Sequence, residues 1–437
     1  MSIVLVVVFL GVLYFLAHAF AGIFSRTKIP DVLWLIIVGL CLGPIFHVVI
    51  PTHLGEVGPV FITITLVVIL FQSGLEINVN TLLKAWSRGV ALTTLNFLVT
   101  MIVVGTATFL LTRLAPLSAF MLGAIVGGTS SAVVIPLLHQ LKMKNESSAI
   151  LLLESALTDV LCIVVTLAFL GAHKGNTPNF GLAIGGIIAS FLVAIVLGIV
   201  GAFLWSIILD KIRTLQNSIF ATPAFVFIIF GIAELLGYSG YIAALAFGIT
   251  IGNMESFEFR LKKMRIFSLL VKPDTLNETE KKFFSEIVFV LKTFFFVYIG
   301  LSVQLANSWL IYVGIILTIL AFVLRIPVVR FSISKSTPKE DVSLMAVMVP
   351  KGLAAATLAS LSLQQGIVGG EIIQNVTFAV VLFSITFTSI LIFLLHKTAL
   401  SKLYRRMFSG FGAPLNPPIG NRESTDGTKD NVTGQSA

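Results

Sequence analysis

The sequence predicts an all-α polytopic membrane protein, because it is strongly apolar, sparsely charged and divided into long apolar segments. Of its 437 residues, 57% are hydrophobic and only 11% are charged, and the mean hydropathy is +1.02. A soluble domain carries about 25% charged residues. Apolar segments of roughly 20 residues recur along the chain, and a helix of that length crosses a ~30 Å hydrocarbon core.

Charge and cysteine usage exclude several other classes of protein. The net charge of +9 is spread over short loops rather than along a basic stripe, which argues against a nucleic-acid partner. The two cysteines, Cys41 and Cys162, lie inside apolar segments, which excludes a disulfide scaffold and a cysteine-based metal cluster. The first apolar segment lacks a basic start and is too long for a signal peptide, so it is predicted to be a transmembrane helix.

Thirteen apolar segments are predicted to be transmembrane helices. Residues 254–286 carry both signs of charge and are predicted to form a cytoplasmic linker, and the polar residues 409–437 a disordered cytoplasmic tail. The predicted spans are 2–24, 32–50, 60–74, 89–111, 119–141, 149–170, 181–208, 219–236, 241–252, 287–305, 309–329, 342–364 and 372–395.

The positions of lysine and arginine predict the orientation. If the loops alternate and the first loop is cytoplasmic, 24 of the 29 basic residues lie on the cytoplasmic side and two, Arg113 and Lys174, lie outside. The remaining three, Lys292, Arg325 and Lys351, fall within spans. The chain is therefore expected to be a multi-pass protein of the cell (inner) membrane, with its N-terminus outside and its C-terminus in the cytoplasm.

The two halves of the chain share a weak internal repeat. Gly39 in the second span matches Gly248 in the ninth at an offset of 209, and Gly74 in the third matches Gly300 in the tenth at an offset of 226. The fifth and twelfth spans are interrupted by the segments GGTSS and PKG. Glycines in apolar helices commonly indicate only close packing. Together with the two interruptions, however, their order predicts inverted repeats with two broken crossing helices, which place a transport site at the midplane.

Two carboxylates lie inside the sixth span. An ionisable side chain at the bilayer centre costs about 2.5–3.5 kcal/mol on insertion scales, so it is retained for a reason. At 1.5 Å per residue, Asp159 lies about 15 Å into the span, at the midplane, and Glu154 lies nearer the cytoplasm. Residues five apart on a helix point about 140° apart, so the two carboxylates are predicted to have different neighbours and different roles.

Asp159 is predicted to exchange a proton for a cation, because both compete for the same carboxylate oxygens. Ser155 shares its helix face, and Thr129 to Ser131 of the interrupted fifth span lie at the same depth. Carboxylate, hydroxyl and freed carbonyl oxygens suit a hard cation such as Na⁺ or K⁺. The alternatives are a protonated structural aspartate bonded to a neighbouring helix, and hydroxyls that bond only to their own helices.

The basic residues within spans have more than one interpretation. Glu154 has two depth-matched candidates for an ion pair, Arg325 in the eleventh span and Lys292 in the tenth, although either base can instead snorkel to the interface. A Glu154–Arg325 pair would hold two helices together. Lys351 lies at the second interruption, near the depth of Asp159, where it either neutralises carbonyls in the absence of a cation or simply caps the broken helix.

Several motifs together resemble the sodium/proton antiporters of the monovalent cation:proton antiporter superfamily, over about residues 1–400. The motifs are IPDVLWLIIVGLCLGP, ILFQSGLEI, GAIVGGTSSAVVIPLL, LLLESALTDVLCIV, KTFFFVYIGLSV, FVLRIPVV and VPKGLAAATLASL. The resemblance implies the antiporter fold, a homodimer, no bound cofactor, a role in pH homeostasis, and a core domain that moves against a dimerisation domain. It places the core helices at about 89–170 and 309–395, and the dimerisation helices at about 2–74, 181–252 and 287–305.

The resemblance also assigns roles to individual residues. It makes Asp159 the carrier of cation and proton, Thr129 and Ser155 neighbouring ligands, and Glu154 the partner of Arg325.

Three departures from the family pattern bear on the choice of ion. Relatives usually have Asn or Asp where Thr158 precedes Asp159, and many sodium-selective members have Asp where Ser130 follows Thr129. Gln72 stands near a position that some relatives fill with an acid. The resemblance implies Na⁺ as the substrate, with Li⁺ as an alternative, and the smaller number of carboxylates in the site also makes K⁺ plausible. A single mobile carboxylate favours electroneutral exchange, and the alternative is electrogenic exchange in which Lys292 or Lys351 loses a proton during the cycle.

The predicted function is secondary active exchange of protons for monovalent cations by alternating access across the lipid bilayer. The alternative is a K⁺/H⁺ antiporter or a gated K⁺ efflux channel of the same fold, and no nucleotide-binding domain that would gate such efflux is expected after about residue 400. An intramembrane protease would need a second midplane aspartate or an HExxH motif, so the protein is not expected to be an enzyme.

Overall fold

The regular structure of the described residues is entirely helical. The computed structural model describes residues 3–27, 31–48, 57–76, 79–141, 143–173, 180–213, 218–254, 276–303 and 308–412. The helices are α1 (Ile3–Thr27), α2 (Asp31–Leu40, continued by a π-helical segment Cys41–Ile45), α3 (Val57–Glu76), α4 (Val79–Leu111), α5 (Pro116–Ile125), α6 (Ser131–Leu141), α7 (Asn145–His173), α8 (Phe180–Arg213), α9 (Ala221–Leu235), α10 (Gly240–Gly252), α11 (Glu278–Ser302), α12 (Ser308–Ser332), α13 (Lys339–Val347), α14 (Leu353–Gln364), α15 (Gly370–Lys397) and α16 (Leu400–Met407).

The helices coincide with the predicted apolar segments. In the described part of the chain, six are long and apolar enough to cross a membrane: α4, α7, α8, α11, α12 and α15. The other predicted spans correspond to shorter apolar helices or to pairs of half-helices. The prediction of a multi-pass membrane protein is confirmed, while the count of thirteen transmembrane helices stays a prediction.

Both predicted interruptions are present, and they touch each other. The first lies between α5 and α6 and the second between α13 and α14. The backbone N–H of Ser130 in the first break donates to the carbonyl of Pro350 in the second at 2.7 Å. This bond satisfies backbone groups that a continuous helix would have paired internally, which allows irregular backbone to exist within a bundle.

Two helix crossings repeat the same contacts in the two halves of the chain. In the α2–α11 crossing, a Cβ added to Gly39 would lie 2.8 Å from the Cα of Gly300. In the α3–α10 crossing, a Cβ added to Gly248 would lie 3.2 Å from the Cα of Gly74. Only glycine allows backbones to approach this closely.

The neighbouring contacts keep the same offsets. Gly43 meets the backbone of Leu301 in one crossing, and Gly252 meets the backbone of Leu75 in the other. Gly252 is 209 residues after Gly43, and Leu301 is 226 residues after Leu75, which are the offsets read from the sequence. The internal repeat is therefore visible as paired contacts, with each crossing formed by one helix from each half.

The helices pack in two sets. Helix α10 lies against α3 and α8, and α11 lies against α2. In the second set, α4 packs against α5, α7 and α12, and α15 packs against α12 and α14. The second set holds both breaks and the carboxylates of α7.

Two boundaries differ from the sequence prediction. Helix α11 begins at Glu278, nine residues before the predicted span, because Asn277 and Glu280 form a capping box. The last part of the predicted 254–286 linker is therefore helical, and residues 255–275 lie outside the described residues. The predicted tail likewise begins with structure: Phe411 is buried and the N–H of Gly412 donates to the carbonyl of Lys335, while residues 413–437 lie outside the described residues.

Candidate functional site

The carboxylate of Asp159, on α7, faces the first helix break. Ser131, the first residue of α6, donates its hydroxyl to Oδ2 of Asp159 at 3.1 Å. Ser131 is buried and Asp159 is half-buried. Within the described residues this is the one hydrogen bond that the carboxylate receives. Its other lone pairs are therefore open to a proton, a water molecule or a cation.

Ser130, predicted as a ligand, has a different position from its neighbour. Its backbone bonds to Pro350, and its side chain packs against Gly352 so closely that a Cβ added to Gly352 would lie 2.5 Å from the Ser130 Cβ. The hydroxyl that reaches Asp159 belongs to Ser131. Sequence depth could place the whole segment near the carboxylate, but it could not fix the residue at which α6 restarts.

A chain of hydroxyls joins the first break to α7. The N–H of Thr129 donates to Oγ1 of Thr158 at 3.1 Å, and the two threonine hydroxyls are 3.4 Å apart. Thr158 in turn donates to the carbonyl of Ser155 at 3.1 Å, and the Ser155 hydroxyl donates to the carbonyl of Leu152 at 3.0 Å. In this conformation the Ser155 hydroxyl bonds within its own helix, the alternative that the sequence left open.

Lys351 links the second break to the first. Its side chain is fully buried, and its Nζ donates to the carbonyl of Gly128 at 2.7 Å. Its backbone N–H donates to the hydroxyl of Ser384 on α15 at 2.9 Å. Gly128 lies just beyond the C-terminal end of α5, where a helix dipole favours positive charge. The ammonium therefore lies at the C-terminal end of the half-helix α5.

Glu154 and Arg325 form a buried bidentate ion pair between α7 and α12. Both guanidinium Nη atoms donate to the carboxylate, Nη2 to Oε2 at 2.7 Å. Both side chains are almost completely excluded from solvent. Nε of Arg325 also donates to the carbonyl of Met345 at 3.0 Å, near the end of α13. Arg325 thus connects the helix of Asp159 to the half-helix that leads into the second break.

Lys292 pairs with a residue that the sequence analysis missed. Its Nζ lies 3.0 Å from Oδ2 of Asp31, at the start of α2, and both side chains are largely buried. The suggestion that Lys292 pairs with Glu154 is therefore wrong. Asp31 was overlooked because it lies at the edge of an apolar segment, where an acid needs no partner.

Gln72 lies away from this cluster of residues, at the end of α3. Its Nε2 donates to Oε1 of Glu76 at 3.0 Å, and both residues line a cavity of about 300 Å³ together with residues of α10 and α11. The cavity is bordered by Leu75, Ile251, Gly252, Leu276 and Lys281.

Comparison with known proteins identifies the family. The profile described as "Sodium/hydrogen exchanger, transmembrane" matches residues 11–398. The chain belongs to the sodium/hydrogen exchanger family. The predicted class of activity, exchange of monovalent cations for protons, is thereby confirmed, and the family is one of transporters rather than enzymes.

Curated relatives of this exchanger carry both sodium and potassium names. The chain is 28% identical over 393 residues to a probable Na⁺/H⁺ antiporter 2 of Methanocaldococcus jannaschii, covering 83% of this chain and 85% of that protein. It is 25% identical over 386 residues to the Na⁺/H⁺-K⁺ antiporter GerN of Bacillus cereus, covering 85% and 91%. It is 26% identical to the K⁺/H⁺ antiporter NhaP of Alkalimonas amylolytica over 57% of this chain and 44% of that protein.

A solved antiporter structure has the same fold. The sodium proton antiporter MjNhaP1 from Methanocaldococcus jannaschii at pH 8 superposes with a TM-score of 0.72 over 89% of this chain and 100% of that chain. The sequences are 20% identical, so the similarity concerns the fold.

Proposed function

We propose that Asp159 of this exchanger binds one monovalent cation and one proton in turn, and carries them in opposite directions across the cell membrane by alternating access. The observation that carries the proposal is a half-buried carboxylate in a membrane helix, held by one hydroxyl beside two helix breaks that touch each other. A charged carboxylate is costly in a bilayer, and either a proton or a bound cation neutralises it. The two ligands therefore exclude each other, and this competition couples their movements.

The cation would be held by neutral oxygens around one carboxylate. Ser131 and Asp159 supply the first two, and Thr129, Thr158 and Ser155 can contribute if their hydroxyls or carbonyls turn toward the ion. Monovalent cations bind through several oxygens, and those freed at helix breaks serve in other transporters. Lys351 repels a cation from the Gly128 carbonyl that it occupies, which biases the ion toward the Asp159 side of the break.

The remaining parts of the chain support the movement of the carrier. The core is the helix set that contains α4 to α7 and α12 to α15, and the dimerisation domain is the set that contains α1 to α3 and α8 to α11. The buried Glu154–Arg325 pair keeps the core rigid while it moves. The working unit is a homodimer in the inner membrane, with the N-terminus outside and the C-terminus in the cytoplasm, and exchange is electroneutral because one carboxylate carries one charge in either direction.

Sodium is the first substrate to test and potassium the second. The relatives named above include Na⁺/H⁺, Na⁺/H⁺-K⁺ and K⁺/H⁺ antiporters, and those names favour potassium as the specific alternative. Because few carboxylates surround Asp159, the site favours K⁺, which is larger and more weakly hydrated than Na⁺. A gated K⁺ efflux channel of the same fold would conduct without proton coupling.

Proton movement in proteoliposomes tests the proposal. An internal pH dye reports dissipation of a pH gradient after addition of Na⁺, Li⁺ or K⁺, for the wild type and for Asp159→Asn. We expect a response to at least one cation and none in the variant. Glu286→Gln, which removes an exposed carboxylate on α11, is the matched control and should transport normally.

Either of two outcomes would overturn the carrier role of Asp159. The first is transport by Asp159→Asn at the wild-type rate, and the second is cation flux that moves no protons. A voltage-sensitive dye in the same vesicles tests stoichiometry, since a membrane potential generated by exchange would exclude electroneutral transport.

A further inference from the structure

A short helix after the last long membrane helix is anchored on one face and charged on the other. In α16 and the turn after it, the rings of Tyr404, Phe408 and Phe411 are buried, and the centroids of the two phenylalanine rings are 5.7 Å apart. A guanidinium nitrogen of Arg330 donates to the carbonyl of Met407. The helix is therefore fixed to the end of α12 and to the turn that leads into α13, rather than hanging free.

The connection to α15 fixes the depth of this helix. Helix α15 ends at Lys397 and α16 begins at Leu400, so only two residues join them. Two extended residues span about 10 Å at most, counting the bonds at both ends. Since α15 is long and apolar enough to cross the bilayer, α16 must start at the level where the hydrocarbon gives way to lipid headgroups.

The outer face of α16 continues into the turn between α12 and α13 as one basic surface. Its exposed bases, which we call the C-terminal basic surface, are Arg330, Lys335, Lys339, Lys402, Arg405 and Arg406. Among the exposed residues of described segments 330–341 and 400–412, Glu340 is the only acid, and it pairs with Arg405 at 2.7 Å. Asp341 is buried and accepts from the N–H of Lys144. The surface thus keeps a strong excess of positive charge.

Two large apolar side chains are exposed beside these bases. Leu403 on α16 is 54% exposed, and Phe331 at the end of α12 is 80% exposed. An amphipathic helix at a membrane interface combines basic residues that reach headgroups with apolar residues that enter the acyl boundary. A soluble acidic partner would contact only the basic side chains of this surface, and Leu403 and Phe331 would then have no role.

We propose that the C-terminal basic surface binds the headgroups of anionic lipids, such as phosphatidylglycerol, in the adjacent leaflet. Clustered lysine and arginine beside a membrane helix attract anionic headgroups, and Leu403 and Phe331 hold the helix at the interface. Because α16 is tied to the turn between α12 and α13, a bound lipid stabilises the half-helix that leads to the second break.

Thermal stability of the full chain in a neutral detergent tests the proposal. Apparent melting temperature is measured by fluorescence-detected size exclusion, after adding phosphatidylglycerol or phosphatidylcholine. We expect phosphatidylglycerol to stabilise the wild type more. Lys402→Gln/Arg406→Gln should reduce the phosphatidylglycerol-specific shift at least two-fold. Lys281→Gln/Lys282→Gln, which removes the same charge from exposed positions on α11, should leave it unchanged.

Further variants separate lipid binding from other causes. Leu403→Ser should reduce the lipid-induced shift although no charge changes, and Glu340→Gln should increase it because Arg405 is released. The proposal would be overturned if phosphatidylglycerol raised the apparent melting temperature of the wild type and the Lys402/Arg406 double variant equally. It would also be overturned if the Lys281/Lys282 control lost as much of this shift as the Lys402/Arg406 double variant. If soluble glycerol phosphate stabilised the wild type as well as the lipid does, the surface would be a phosphate site and not a lipid site.

Discussion

Removing one partner of the Glu154–Arg325 pair should destabilise the exchanger severely. In Arg325→Met, Glu154 loses two charge-assisted hydrogen bonds, each worth about 1.5–3 kcal/mol, and the carbonyl of Met345 loses its donor. Breaking a fully buried pair in this way costs about 3–5 kcal/mol, because a charge is left without a partner. We therefore expect Arg325→Met to lower the free energy of unfolding by about 3–5 kcal/mol.

The double variant Glu154→Gln/Arg325→Met removes both charges and should cost less than the two single variants added together. A second arginine–glutamate pair provides the matched control. Arg88 and Glu146 also join α7 to a neighbouring helix, at 2.5 Å, but their side chains are 35% and 66% exposed. Exposed pairs contribute about 0–1 kcal/mol, so Arg88→Met and Glu146→Gln should have small effects.

Unfolding by sodium dodecyl sulfate in mixed micelles, followed by tryptophan fluorescence, gives these free energies. The double-mutant cycle isolates the pairwise interaction. If Arg325→Met costs no more than Arg88→Met, or if the effects of the two single substitutions simply add, the buried pair does not hold α7 to α12 and our reasoning about the rigid core is wrong.

Three other substitutions test the site and the crossings. Ser131→Ala removes a hydrogen bond worth about 1 kcal/mol, so the cation concentration for half-maximal exchange should change about 5-fold. Ser130→Ala should change this concentration less, and equal effects of the two substitutions would contradict the geometry of the site. Gly39→Ala forces a Cβ against the backbone of α11 and should lower the free energy of unfolding by at least about 1–3 kcal/mol. Gly231→Ala is the control, because Gly231 has open space around it, and it should be neutral or slightly stabilising. If Gly39→Ala were tolerated, the tight crossing of α2 and α11 would be refuted. Lys351→Met leaves the Gly128 carbonyl without its hydrogen-bond donor and should slow exchange at least 10-fold in the pH-dye assay. Lys351→Arg should recover part of the rate. Exchange by Lys351→Met at the wild-type rate would show that the ammonium is dispensable.

Much of this fold could be predicted because a bilayer allows few solutions. Long apolar segments must be helical where no water can satisfy the backbone, so the predicted spans and observed helices agree closely. The Glu154–Arg325 pair was one of two pairings that similar depth allowed for a buried charge, and the resemblance to known antiporters selected it.

Other contacts could not be predicted, because the depth of a residue in the membrane does not identify its neighbours. Depth placed Ser130 and Ser131 equally well, but only the point where α6 restarts decides which hydroxyl reaches Asp159. Depth left Lys292 as a second candidate partner of Glu154, because a one-dimensional estimate gives depth without neighbours, whereas its partner in the structure is Asp31. Helix α16 escaped notice because eight residues with several charges show no apolar segment, and its stability comes from aromatic rings buried on the core.

The paired crossings bear on which way the unloaded protein faces. If the two halves of the chain were identical, exchanging their conformations would convert the outward-facing state into the inward-facing state. The two states would then have equal free energy, and the empty protein would not favour either side. The glycine contacts obey this symmetry, but the Asp31–Lys292 pair does not, because the equivalent positions in the other crossing are Gly240 and Leu66. If the exchanger works by alternating access between inverted repeats, as we propose, this buried ion pair makes the two crossings unequal and favours one of the two facing states.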